Sequence, residues 1–142
     1  MSRQPEPTGE QLETVYQSMI GALARRDIGQ LDSLLAENVE FRSYATGIMP
    51  IRGKSEVLEA VKATRDRIYD PVILSFEHLG DGWLIAAGRL RHTAEGGWMA
   101  DGRKAALARV IDAKVHVSLA SSSAEEALAE FAARQAAGSG SS

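Results

Sequence analysis

The sequence predicts an α+β fold, four helices combined with a sheet built mainly from antiparallel hairpins. Three observations carry this prediction. Apolar residues recur at helical spacing near the start of the chain, the period changes to two from Pro71 onward, and a helix-start signature reappears near the end. A length of 142 residues suits one domain with a continuous core.

The elements follow in order. Thr8 and Gln11 form a capping-box pattern, and Leu12, Val15, Tyr16, Met19, Ile20 and Leu23 then make one apolar stripe on a helix. Arg25 and Arg26 suit the negative end of its dipole. Asp27 is placed to cap a short second helix carrying Ile28, Leu31, Leu34 and Leu35, after which Val39 and Phe41 begin a strand. Gly47 to Gly53 forms an apolar loop with Ile48, Met49, Pro50 and Ile51, a composition that suggests it folds over something. A third helix starts near Lys54, with Val57, Leu58, Val61 and Ile68 on its buried side. Strands are expected at Val72 to Leu79, Trp83 to His92, Trp98 to Asp112 and Lys114 to Ala120. Gly80-Asp81-Gly82, Glu95-Gly96-Gly97 and Asp112-Ala113 supply the turns, and Asp101-Gly102 suggests a bulge or bend. Ser123 with Glu126 opens a last helix, with Ala127, Leu128 and Phe131 inward. The domain therefore spans residues 8–135, between a disordered start at 1–7 and a disordered Gly/Ser-rich tail at 136–142.

Composition narrows the function classes. A formal net charge of −3 gives no electrostatic reason to expect nucleic acid or an anionic membrane as partner. The absence of cysteine removes disulfides, thiolate metal sites and cysteine nucleophiles. With no apolar leader and no run of membrane-spanning length, a cytoplasmic protein is the default expectation. No GxGxxG, GxxxxGK or GxSxG motif occurs, so no cofactor is expected. The three histidines lack HxH or HExxH spacing, so no metal is expected either.

Ile85-Ala86-Ala87-Gly88 and Ala105 to Ile111 are apolar on both alternations, so both sheet faces need covering. A homodimer formed through the sheet face is the expectation drawn from this.

Several segments together resemble the NTF2-like superfamily, and within it the SnoaL-like, polyketide cyclase-like domains. They are Ala22-Leu23-Ala24-Arg25-Arg26-Asp27 leading to Leu34-Leu35-Ala36-Glu37-Asn38-Val39, and Ile51-Arg52-Gly53-Lys54-Ser55-Glu56-Val57. Further on come Ala87-Gly88-Arg89-Leu90-Arg91, Arg109-Val110-Ile111-Asp112-Ala113-Lys114-Val115 and Ser123-Ala124-Glu125-Glu126-Ala127-Leu128. The resemblance covers residues 9 to 134. Ala113 departs from the glycine that the family prefers in its last turn. The resemblance implies a cone, in which a curved antiparallel or mixed sheet wraps a long N-terminal helix, accompanied by three further helices, with a cavity at the open end. It implies no single reaction.

Carried over residue by residue, the resemblance speaks against two known chemistries. The tyrosine, base and acid positions of ketosteroid-isomerase-like members fall on Met19, Phe41 and Ala106, none of which exchanges a proton. Epoxide-hydrolase-like members need an Asp-Arg-Asp set. Arg89 and Arg91 offer the cation, but Ile85 to Leu90 contain no carboxylate.

The remaining candidates for proton transfer are His116 and Glu77. His116 alternates with Ser118 and Ala120, and the alignment turns that face toward the cavity; it is either an acid or base there or a side chain in a dimer contact. Register in the Asp112-Ala113 hairpin decides between the two. Glu77 is either an inward acid or a cross-strand partner. Arg109, in an apolar strand, needs a partner, either a ligand carboxylate or an acid of a neighbouring subunit. The expected cavity lining is Met19, Phe41, Tyr44, Met49, Val57, Ala106, Ala108, His116 and Ser118. The functional expectation is a binder of a small, mostly apolar ligand. The alternatives are a cofactor-independent acid–base enzyme of isomerase, cyclase or dehydratase type, and a non-catalytic dimerisation domain with a vestigial pocket.

Overall fold

The computed structural model describes residues 8–140. The expected N-terminal segment 1–7 lies outside the described residues, as do the last two residues of the tail. The elements are α1 (Gly9–Arg25), α2 (Ile28–Leu34), β1 (Leu35–Arg42), β2 (Ile51–Arg52), α3 (Lys54–Ala63), β3 (Tyr69–Gly80), β4 (Trp83–Thr93), β5 (Met99–Ile111), β6 (Lys114–Ser121) and α4 (Ala124–Gly140). The helix α4 continues past the domain boundary expected at 135, through the first part of the segment read as a tail.

The capping box of α1 is present. Gln11 N donates to Thr8 Oγ1 at 3.1 Å, and Thr8 N donates to Gln11 Oε1 at 2.7 Å. The helix stops at Arg26, which adopts left-handed backbone (φ 56°), and the Asp27 N–H turns back to Ala22 O at 2.9 Å. Arg26 then does a second job. One guanidinium nitrogen, Nη2, donates to the carbonyls of Ala45, Thr64 and Arg67 at 3.2, 3.0 and 3.2 Å, holding together the turns that follow α1, β1 and α3. Asp27 caps α2 by accepting from Gln30 N at 3.2 Å.

The sheet is mixed and open, with strand order β2-β1-β6-β5-β4-β3. Among the described residues only β1 and β6 run parallel; the pairs β3·β4, β4·β5 and β5·β6 are consecutive antiparallel hairpins. The sheet wraps α1, which touches β3, β5 and β6. The α1 stripe supplies Tyr16, Met19 and Leu23 to a core that also holds Leu31, Val39, Phe41, Val57, Val61, Leu84, Val110 and Val115.

The opposite sheet face is covered within the chain. Trp83, Ile85, Ala105, Leu107, Val117 and Leu119 form a second cluster with Ala127 and Phe131 of α4. The Trp83 and Phe131 rings meet edge to face at 5.5 Å. Two ion pairs fasten the same helix to β1, Arg42–Glu130 at 3.0 Å and Arg134–Glu40 at 2.5 Å. The two-sided apolar strands that prompted a second subunit are thus explained by α4.

Four further expectations change. The pairing of β4 with β5 runs without a register shift through Asp101 and Gly102, so no bulge lies there; the β5·β6 bulge falls between Arg109 and Val110. Ile68 lies beyond the end of α3 and is 49% exposed. Leu35 begins β1 instead of ending α2. The apolar loop leaves Met49 65% exposed and holds Ile48 at φ 62°, a costly conformation for a β-branched side chain.

Candidate functional site

On the inner face of the sheet, β4, β5 and β6 present small residues toward α1: Ala86 and Gly88, Ala106, and Ser118 and Ala120. Gly88 has no alternative, because a Cβ there would lie 1.9 Å from the Val72 carbonyl oxygen on the adjoining strand. Facing these small residues are Tyr16 and Ile20 of α1 and Tyr69, Pro71 and Ile73 of β3. A cavity of about 60 Å³ remains between them, enough for a few water molecules.

Two phenols enter this cavity. The Tyr16 hydroxyl lies 3.4 Å from Ser118 Oγ, and its ring packs edge to face on Phe76. The Tyr69 hydroxyl is hydrogen-bonded to Ser43. Burial pushes Tyr16 up to about 12, only partly offset by the Ser118 hydrogen bond. Burial likewise raises Tyr69, and the neighbouring Tyr16 phenol raises it further. Both therefore remain neutral near pH 7, able to donate and accept hydrogen bonds but not to act as bases.

The mouth is built from the end of β1 and the middle of β5. Arg42 donates through Nε to Ala120 O at 2.9 Å and pairs with Glu130. Tyr44 lies against His92, with ring centroids 4.5 Å apart, and Lys104 Nζ is 5.7 Å from the Tyr44 centroid. Burial raises the Tyr44 hydroxyl, and nearby Glu126 adds to the shift. Beyond Arg42, Tyr44 and Ala120, a larger vestibule of about 440 Å³ opens between Ile48 and the first turns of α4.

Of the lining residues expected from sequence, Tyr44, Ala106 and Ser118 come together here. Met19, Phe41, Val57 and Ala108 are instead fully packed in the core beneath, and Met49 points away on its exposed loop. His116 does not line the cavity. Arg109 pairs with Val117 and Val110 with Val115, so His116 is the unpaired residue of the bulge and loses its alternation with Ser118. Glu77 pairs across from Ile85, whose side chain belongs to the outer cluster, and is exposed. Neither proton-transfer candidate is therefore in the cavity, whose lining among the described residues includes no carboxylate and no imidazole.

Arg109 finds its partners within the chain: its guanidinium lies over the Trp83 ring at 5.3 Å, and Nε donates to Asp81 O at 3.0 Å. Arg89 reaches Asp101 at 3.7 Å. Among the described residues, no three His, Asp or Glu side chains are grouped as a metal-ligand set, and no helix is long and apolar enough to cross a membrane.

Sequence reasoning missed Ser43, Tyr69 and Lys104. Lys104 was within reach, since it shares the alternation of Ala106 and Ala108. Tyr69 shares that of Pro71 and Ile73, but the expected strand began after it.

No family model and no curated protein sequence matches the chain. Solved structures do. An LEH-like epoxide hydrolase from M. tuberculosis superposes with a TM-score of 0.69 at 12% identity, over 89% of this chain and 86% of that one. An NTF2-like protein of unknown function from Burkholderia pseudomallei gives 0.62 at 17%, over 82% and 93%. A candidate polyketide cyclase from Xanthomonas campestris pv. campestris gives 0.61 at 16%, over 84% and 96%. At these identities the likeness is one of fold.

Proposed function

We propose that this chain, whose fold is NTF2-like and SnoaL-like as its sequence predicts, binds a small, mostly apolar molecule in the cavity between α1 and the sheet. The observation that carries the reading is the pair of neutral phenols, Tyr16 and Tyr69, facing a wall of small side chains. Apolar walls supply the driving force, and a few placed hydroxyls orient the ligand. A ligand oxygen at the inner end would take a hydrogen bond from Tyr16 or Tyr69. The body would lie along Ala86, Ala106 and Ala120 and extend past Tyr44 into the vestibule.

Binding is favoured over acid–base catalysis because, among the described residues, the lining offers no carboxylate and no imidazole to carry a proton. Small-probe binding tests the reading. Octanamide and phenylacetamide should show saturation transfer from the wild-type protein, and Ala106→Trp, which fills the cavity, should abolish it while far-UV circular dichroism stays unchanged. Ala120→Leu serves as a second filling variant. Transfer that survives both substitutions contradicts the proposal.

A further inference from the structure

We infer that the ligand of this cavity is an organic monoanion, a mainly apolar molecule whose single carboxylate is held at the mouth by Lys104. The inference rests on the binding reading above and deepens it.

Among the described residues, the charged side chains lining the cavity are Arg42, Arg89 and Lys104. All are cations, in a chain of net charge −3. Two of the three are already neutralised, Arg42 by Glu130 at 3.0 Å and Arg89 by Asp101 at 3.7 Å. Among the described residues, Lys104 has no carboxylate within ion-pair distance; its charge meets only the Tyr44 ring.

Its position explains why. Lys104 stands on the inward alternation of β5, two residues before Ala106, and its cross-strand partner on β4 is Gly88, which has no side chain. A charged surface lysine extends freely into water, whereas this one is half-buried at the rim of an apolar hollow. An ammonium so placed is short of counter-charge, and a carboxylate entering with an apolar body would supply it through a charge-assisted hydrogen bond.

The vestibule sets the limit of one charge. Its two carboxylates among the described residues are already engaged, Glu130 by Arg42 and Glu126 by the backbone N–H and hydroxyl of Ser122. They leave that side net acidic and would repel a second anionic group on the ligand.

The test pairs acids with their amides, octanoate against octanamide and phenylacetate against phenylacetamide, titrated calorimetrically at low salt. The wild-type protein should bind each acid at least about tenfold more tightly than its amide. Lys104→Met should bring acid and amide to parity, while Lys104→Arg should keep the preference. Equal affinity of acid and amide for the wild type, or a preference that persists in Lys104→Met, overturns the inference. Amide binding that is sensitive to Ala106→Trp but shows no acid preference removes this inference alone. No binding of any probe removes the proposed function with it.

Discussion

Tyr16 on the first helix and Ser118 on the last strand meet hydroxyl to hydroxyl at 3.4 Å, across 102 residues of sequence. The contact joins α1 to the sheet at the inner wall of the cavity and leaves the phenol oxygen close to whatever enters. Tyr16→Phe removes one buried hydrogen bond, and a loss of about 1 kcal/mol in chemical denaturation is expected. The larger effect should fall on ligands with an oxygen at the inner end, with affinity reduced about fivefold to tenfold in calorimetry. An unchanged affinity would mean that the phenol does not touch the ligand.

Alkaline stability reports on the same group. Folding raises Tyr16 from 10.0 to about 12, so between those values the unfolded chain has released a proton that the folded chain still holds. Its contribution to stability is complete below pH 10 and is lost as pH rises toward 12, roughly 3 kcal/mol across the window. Tyr69 shifts in the same direction. Phenolate absorbance should therefore show no step near pH 10 from these two residues in the folded protein, and Tyr16→Phe should flatten the alkaline loss of stability.

At the acid end, Glu40 provides the handle. The hydrogen bond from Arg134 is the main cause that holds its carboxyl below the ordinary 4.5, with Arg134 and Arg52 charges adding to it against a burial cost. The stabilisation is present above 4.5 and fades as pH falls through the lowered folded value. Glu40→Gln should cost about 1 kcal/mol at pH 7, and its denaturation midpoint should fall less than that of wild type on acidification below 4.5.

The Asp112-Ala113 turn stores strain that can be released. Ala113 sits at φ 60°, in left-handed backbone that glycine occupies freely. Ala113→Gly is expected to raise stability by roughly 0.5–1 kcal/mol, read as a shift in urea midpoint with an unchanged slope.

Gly88 makes the opposite case. A methyl group there would drive into the Val72 carbonyl, so Gly88→Ala should part β3 from β4 and destabilise the fold by more than about 3 kcal/mol. Circular dichroism at 25 °C would register the loss.

Local signals explain what was legible in the sequence. The Thr8–Gln11 capping box, the Asp27 cap, the α1 stripe and the hairpin turns depend on residues a few positions apart, and each lies where its pattern placed it. The cavity was legible where strand alternation is unbroken, at Ala106 and Ser118. It was misread where alternation breaks. One extra residue opposite Arg109 and Val110 takes His116 off the face of Ser118. The depth of Met19 and Phe41 depends on how far α1 sinks into the sheet, and the cover of the outer face on where α4 docks. Both are set by contacts between distant segments that no local pattern encodes.

The central claim is that a small molecule enters between α1 and the inner wall of the sheet. Backbone amide shifts in an ¹H–¹⁵N titration with phenylacetate test it most directly. The account predicts perturbations grouped at Ile20, Gly88, Ala106, Ser118 and Ala120. Perturbations centred instead on His78, Asp81 and Asp112, which line the separate cleft at the other end of the sheet, would contradict it, as would no perturbation at all.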